Sequence, residues 1–432
     1  MLCKIFSALV ITIICFQCSI TQAENWSQWR GAYFNGISHE KNLPITWDSK
    51  TNVVWRVSLP GAGGATPVVW GDKIFVTSVD GDDLLLLCFN TSGKKEWQQV
   101  IGQGNKIVRK GEGNAASPSP CTDGKHVWAM MSNGLLACYT VDGKKVWGLD
   151  LDKKYGPFQI QFGMATSPLL YKDRLCLQLL HGEGDPRTEE SRVIALDKLT
   201  GKEIWKRKRI TGASKENEHS YTSPLAYLFG DKPLMISHGS DFTIAYDFKT
   251  GKEIWRMGGL NPHNNPQRKY HPTLRMVASP GIGKNIIVIP TAKNGPVFAV
   301  RPGFTGDITN NPKAIIWKRK SNTPDVPTPL VVDGLVYLCR ENGNLICIEA
   351  ETGKELYQKK THRHRHRASP VYADGHIYLT ARDGRITVVK AGRKFQVVAT
   401  NKMNESITAT PVISNGTIYL RTFKGLYAIR KK

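Results

Sequence analysis

"PTPLVVDGLVYLCRENGNLICIEAETGKELY", residues 327–357, contains one complete copy of the pattern that decides the fold. It opens on Thr-Pro, runs through apolar residues to an Asp-Gly turn, continues through further apolar runs, and ends at a Gly-Lys turn followed by an aromatic residue. Apolar–polar alternation between turn signals predicts short strands. Asp-Gly and Thr-Gly-Lys suit tight hairpins because glycine accepts positive φ without steric cost. Each copy has room for four such strands.

The opening signal is a small residue, Thr or Pro, then Ser or Thr, then Pro. It recurs at Pro67, Pro118, Pro168, Pro224, Pro280, Pro329, Pro370 and Pro411, spaced by 51, 50, 56, 56, 49, 41 and 41 residues. The Gly-Lys turns recur as "SGKKEW", "DGKKVW", "TGKEIW", "TGKEIW" and "TGKEL", leading to Trp97, Trp147, Trp205, Trp255 and Tyr357. A four-stranded unit of roughly 40–50 residues is the period of a propeller blade. The last copy, "TPVISNGTIYLRTFKGLYAIRKK", holds only about three strands. Its missing Trp-bearing strand stands at the other end of the chain, in "NVVWRVSLPGAGGATP", where Trp55 precedes Pro67 by twelve residues, as Trp317 precedes Pro329. An N-terminal strand completing the last blade removes the open sheet edge that invites aggregation. The expected fold is therefore an all-β, eight-bladed β-propeller of four-stranded blades.

The chain has 432 residues, 41% of them hydrophobic, and a formal net charge of +23. It can bury a large core, and it is neither disordered in composition nor membrane-spanning. Residues 1–23 read as a signal peptide: Lys4 supplies the charge, Ile5 to Phe16 the apolar run, and Thr21-Gln22-Ala23 the cleavage site. Residues 24–51 form an N-terminal extension and 52–432 the propeller. The protein is thus expected to be exported, to the periplasm, the cell envelope or the medium, and to be a monomer. Six cysteines follow the signal, at positions 88, 121, 138, 176, 339 and 347. Cys88, Cys138 and Cys347 fall in the repeat slot that holds Ala195 and Ala245 elsewhere, a tightly packed interior position, so buried thiols are expected rather than disulfides.

The Ser/Thr-Pro strand, the "ALDKLTGKEIW" unit and the count of eight resemble the PQQ-like β-propeller repeat. That family includes quinoprotein alcohol dehydrogenases and the outer-membrane assembly lipoprotein BamB. The stretch "NWSQWRGAYFNGISHEKNLPITWDSKTNVVWRVSLPG" is closer still to exported PQQ-like repeat proteins of planctomycete-type bacteria. The resemblance implies the fold; it leaves function open, because one scaffold hosts many sites. Quinoprotein dehydrogenases of this shape carry a vicinal Cys-Cys disulfide and Glu, Asn and Asp ligands to Ca²⁺. This chain has no adjacent cysteines, no C-x-x-C-H, no H-E-x-x-H and no G-x-S-x-G. No cofactor is expected, with PQQ and calcium as the alternative. The acidic stretch "HGEGDPRTEESR" (Glu183, Asp185, Glu189, Glu190) lacks EF-hand spacing and reads as a solvated hairpin.

The remaining signal is basic. "THRHRHR", residues 361–367, lies between the outer strand of one blade and the inner strand of the next. If extended, it places His362, His364 and His366 on one face and Arg363, Arg365 and Arg367 on the other. Other connections add Arg109, Lys110, His263, Arg268, Lys269, His271 and Arg275. Imidazoles two apart on a strand can ligate zinc, but neighbouring guanidiniums oppose a divalent cation. A nucleic-acid arm would need interleaved exposed aromatics, whereas the aromatics here follow the blade repeat. An anion-attracting face fits best: a cell-envelope protein, an acidic glycan or a lipid head group would be the partner. The expected function is a non-catalytic binding or scaffold propeller; the alternative is a quinoprotein oxidoreductase with a divergent site.

Overall fold

The computed structural model describes residues 24–48, 50–108, 111–183, 190–230, 232–261 and 273–431. The signal-peptide assignment, Asp185 and Glu189 of the acidic stretch, and six of the basic loop residues (Arg109, Lys110, His263, Arg268, Lys269 and His271) lie outside them. Eight antiparallel sheets follow one another around a ring. Blades 1 to 7 span residues 68–103, 121–150, 169–208, 225–257, 281–319, 330–360 and 371–402, and blade 8 combines 412–429 with 53–58. Blade 4 has a short fifth strand, Gly306–Asp307, running parallel to its outer strand. One helical turn, Leu151–Tyr155, and one 3₁₀ turn, Lys215–Glu218, are the only helices among the described residues.

Every inner strand starts directly after a repeat proline. In blade 2 that proline is Pro120, since the strand begins at Cys121, so the repeat signal there is Ser119-Pro120 and not the Ser117-Pro118 expected. The stretch "SPSP" offers both registers, and the one in which Ser119 reaches the neighbouring blade prevails.

The two halves of the repeat do different jobs. At the outside, the Trp of one blade lies on the Gly of the next blade's Gly-Lys turn. The ring nitrogen donates to a carbonyl of that turn: Trp55 to Thr91 at 2.8 Å, Trp97 to Val141 at 2.9 Å, Trp205 to Phe248 at 2.9 Å and Trp317 to Ala350 at 2.8 Å. A Cβ on Gly93, Gly143, Gly251 or Gly353 would meet the indole within 3.0 Å, which explains glycine at each. The same ring covers the cross-strand slot on its own blade, Cys88 opposite Trp97, Cys138 opposite Trp147 and Ala195 opposite Trp205. Only a small side chain fits there, and all six cysteines are free and buried. Burial pushes the Cys88, Cys138 and Cys176 thiols up to about 12.

At the inside, the repeat Ser or Thr links inner strands. The backbone N–H of Thr66 donates to Ser119 Oγ at 2.9 Å, Ser119 to Ser167 at 3.0 Å, Ser167 to Ser223 at 2.9 Å and Ser223 to Ser279 at 2.9 Å. Thr328 donates to Ser369 at 3.0 Å, Ser369 to Thr410 at 3.2 Å, and Thr410 back to Thr66 at 3.1 Å. The hydroxyls thus run in one direction around the channel through seven of the eight steps, with the step from Ser279 to Thr328 left open and the last returning to Thr66.

Closure is also made by the N-terminal strand. Val53–Ser58 pairs antiparallel with the strand at Gly425–Ile429. Upstream of it, residues 24–38 cross one end of the channel. Trp26 bridges Val69 of blade 1, Ser27 accepts from Thr122 of blade 2, and Gln28 both donates to and accepts from Leu170 of blade 3. Arg30 then donates to Pro370 beside blade 7, and Ile37 bridges Tyr372. The segment satisfies inner-strand backbone groups that would otherwise stay exposed in the channel.

Candidate functional site

With one end covered, the channel becomes a well of about 520 Å³, inside the range of small-ligand pockets. Trp29, on the crossing segment, lines its floor. Its waist is the ring of eight repeat hydroxyls, Thr66, Ser119, Ser167, Ser223, Ser279, Thr328, Ser369 and Thr410. Its mouth is built by blade-to-blade connections and a hairpin turn of blade 6, and carries Glu112, Phe162, Tyr221, Arg275, Asp325, Glu341, Arg365 and Arg367.

The segment 361–367 lies at this mouth, but it is not a strand with a histidine face and an arginine face. It turns: the N–H of His364 bonds to the carbonyl of His362 at 2.9 Å, and His366 bridges Ala381. The three histidines part company. His362 Nε2 pairs with Asp383 at 2.7 Å and its ring stacks on that of His364, centroids 5.9 Å apart. His366 points inward and is fully buried, its Nδ1 on the carbonyl of His364 at 3.0 Å. No group of three His, Cys, Asp or Glu able to hold a metal occurs among the described residues.

The arginines do converge. Arg365 Nη1 lies 2.7 Å from Glu112 Oε1, Arg382 Nη1 2.8 Å from the same oxygen, and Arg367 Nη2 3.0 Å from Oε2. Glu112 comes from the connection between blades 1 and 2, so this contact spans the mouth between elements over 250 residues apart. Arg363 is exposed. Arg275 lies apart from the cluster, paired with Glu216 at 2.5 Å, its guanidinium 5.0 Å from the centroid of Phe162. Asp325 and Glu341 occupy another arc, linked by the N–H of Asp325 to Glu341 Oε2 at 3.4 Å. Among the described residues the mouth is therefore bipolar, an arginine arc beside a carboxylate arc. Sequence reasoning missed Glu112, Arg382 and Trp29, since none belongs to the repeat or to a charge run.

At Glu112 this lining does not suit a calcium ion, and no cysteine lines the well. The cysteines sit inside blades and away from the well. Glu112 already has three guanidiniums around it, which oppose a divalent cation at the same carboxylate.

Burial of imidazoles has a consequence for stability. Burial lowers His366 and His181 to about 4 and His238 to about 3. An unfolded imidazole takes up its proton near 6.5, so between about 6.5 and 4 the unfolded state binds more protons and stability falls as pH falls. Asp241, raised to about 7 by burial, works in the opposite sense, but three imidazoles outweigh one carboxyl. The melting temperature should drop by about 5 °C from pH 7 to pH 4.5 at constant ionic strength. A flat calorimetric profile would contradict the neutral buried histidines.

Comparison with known proteins agrees with the geometry. The family model described as outer membrane protein assembly factor BamB matches residues 38–178, 86–301 and 240–431. A polyvinylalcohol dehydrogenase from a Pseudomonas species is 22% identical over 349 residues, covering 70% of this chain, and the chain spans about half that relative's length (52%). Among solved structures, BamB from Moraxella catarrhalis superposes with a TM-score of 0.62 at 14% identity, covering 87% of this chain and 99% of that one. The quinohemoprotein alcohol dehydrogenase from Comamonas testosteroni gives 0.69 at 12% identity, covering 94% and 81%. At these identities the solved structures show the fold alone. The family model runs from residue 38 to residue 431, through all eight blades, and on that ground the chain belongs to the PQQ-like β-propeller repeat family of BamB.

Proposed function

We propose that the chain is an exported, non-catalytic binding propeller of the cell envelope that takes an anionic partner, an acidic glycan, a lipid head group or an acidic protein surface, through its loop-rich face. One observation carries this reading: three guanidiniums, Arg365, Arg367 and Arg382, converge on the single carboxylate of Glu112 at the channel mouth. One negative charge cannot neutralise three positive ones, and a surplus held in fixed geometry attracts anions. The loop face also carries the exposed Arg363. The family's BamB, an outer membrane protein assembly factor, supports a partner-binding role without assigning the partner.

Binding of heparin as an anionic probe should weaken steeply between 50 and 300 mM salt, because surface attraction is screened over about 10 Å at 0.1 M. Replacing Arg363, Arg365 and Arg367 with Ser should remove most of it; unchanged binding would reduce the segment to a solvated rim. The dehydrogenase reading is favoured by the polyvinylalcohol dehydrogenase relative. Incubation with PQQ and Ca²⁺ and an artificial electron acceptor should give no alcohol oxidation. Stoichiometric PQQ binding with chelator-sensitive turnover would promote that reading instead.

A further inference from the structure

Resting on the anionic-partner reading and deepening it, we infer that the well is a binding site for an acidic sugar, a uronate unit, and that Glu112 is a tethered stand-in for the sugar's carboxylate. The arginine arc presents the geometry of a carboxylate site. Arg365 and Arg382 meet one oxygen of Glu112 and Arg367 meets the other, at 2.7, 2.8 and 3.0 Å, so both oxygens of a planar two-oxygen anion are used. Arg365 and Arg367 line the well, whereas Arg382 holds Glu112 without lining it. Glu112 is only 10% exposed, yet it arrives on a connection from the far side of the ring. A ligand carboxylate of the same shape can take its place on Arg365 and Arg367 at little electrostatic cost, since one charge replaces another.

The rest of the well selects what such an anion is attached to. Seven of the eight repeat hydroxyls, all but Thr328, spend an acceptor position on a neighbouring N–H, which leaves their protons for a group in the lumen. Asp325 and Glu341 add acceptors on the adjacent arc. Thr408 Oγ1, buried in the wall, has no hydrogen-bond partner. Donors all round, acceptors on one side and an indole at the floor suit a ring with several hydroxyls, an apolar C–H face and one carboxylate. An aliphatic or aromatic acid would leave the hydroxyl ring and the acid pair unsatisfied.

The test is calorimetric titration of the full chain with D-glucuronate and with D-glucose. Glu112→Gln removes the competing charge at constant shape and should tighten glucuronate binding at least tenfold over wild type, while glucose binds neither. Glu112→Asp, which keeps the charge, should behave like wild type. Arg382→Gln, which loosens Glu112 from outside the well, should tighten binding several-fold and serves where E112Q does not fold. Adding Arg365→Gln and Arg367→Gln to E112Q should abolish binding. Glucuronate bound no tighter by E112Q and R382Q, or glucose bound as well as glucuronate, overturns the inference. In that case salt-sensitive heparin binding by wild type still upholds the outer-face reading. Tight glucuronate binding by E112Q without heparin binding by wild type upholds the well and removes the outer face.

Discussion

Removal of residues 52–60 is expected to abolish the soluble monomeric fold. This stretch contains the whole of the strand Val53–Ser58, which completes blade 8 by pairing with Gly425–Ile429. Without it, blade 8 presents a row of unpaired N–H and C=O groups along an apolar strand, a ready template for another chain. The loss is not confined to backbone bonds. Trp55 packs on Tyr419 with centroids 6.0 Å apart, covers the turn glycine Gly93, and donates to Thr91 at 2.8 Å, so it links blade 8 to blade 1. Arg56 leaves as well, and with it the bonds to Glu405 at 3.0 Å and Tyr427 at 2.9 Å. The deletion therefore opens the outer seam between first and last blades and leaves the inner one to the Thr410–Thr66 bond and to Arg421 of blade 8, whose guanidinium donates to the carbonyls of Ala65 and Thr77. Size-exclusion chromatography should show aggregate and calorimetry no cooperative transition. A monomer with unchanged melting would contradict closure by this strand. A milder version, Trp55→Ala, should cost about 2–3 kcal/mol, less than at a fully buried ring because Trp55 is half-buried.

The architecture was legible because the repeat writes each interblade contact into the sequence. Ser/Thr-Pro marks the hydroxyl circle and the start of an inner strand; Gly-Lys followed by Trp marks the outer docking of one blade on the next. Both act between adjacent units at fixed spacing, so the pattern shows them without knowledge of the fold. The register at blade 2 misled only because "SPSP" contains two copies of the signal two residues apart. The site was less legible. Strict His–Arg alternation suggests two faces of a strand, but alternation has that meaning only in extended backbone, and residues 362–366 turn. Burial of His366 and convergence of Arg365 and Arg367 on Glu112 depend on where a connection from blades 1 and 2 comes to lie. No local pattern encodes a contact between positions 112 and 365. Trp29 is hidden for a related reason: the segment that carries it has no copy elsewhere in the chain, so the repeat gives no frame in which to place it.

Arg30→Ala should detach that segment while leaving the ring standing. Arg30 is fully buried with no carboxylate partner; Nη1 donates to Pro370 at 2.6 Å and Nη2 to Asn35 at 2.9 Å. Burial lowers its pKa to about 9, so it stays charged at neutral pH. A charge without a counter-ion is tolerated because carbonyl dipoles from the segment and from blade 7 surround it. Truncation leaves two buried carbonyls unpaired and a cavity beside Gly36, which should destabilise the segment by about 2–4 kcal/mol. Lys should not rescue, because one ammonium cannot reproduce a fork that reaches two carbonyls in different elements. Gly36→Ala should resemble Arg30→Ala, since Gly36 has φ of +75° and any Cβ there would run into the guanidinium. The outcome to measure is limited proteolysis followed by mass spectrometry. Cleavage should appear within residues 24–51 in the variants while the fragment from 52 onward stays resistant, because its blades keep their own closure through Val53–Ser58. Equal protection of the segment in wild type and variant would mean that Trp26, Leu43 and Trp47, all buried, hold it without the arginine. If the segment is released, the well loses its tryptophan floor and becomes an open channel. Uronate binding should then weaken even though every arginine of the mouth is intact, which separates the contribution of the floor from that of the rim.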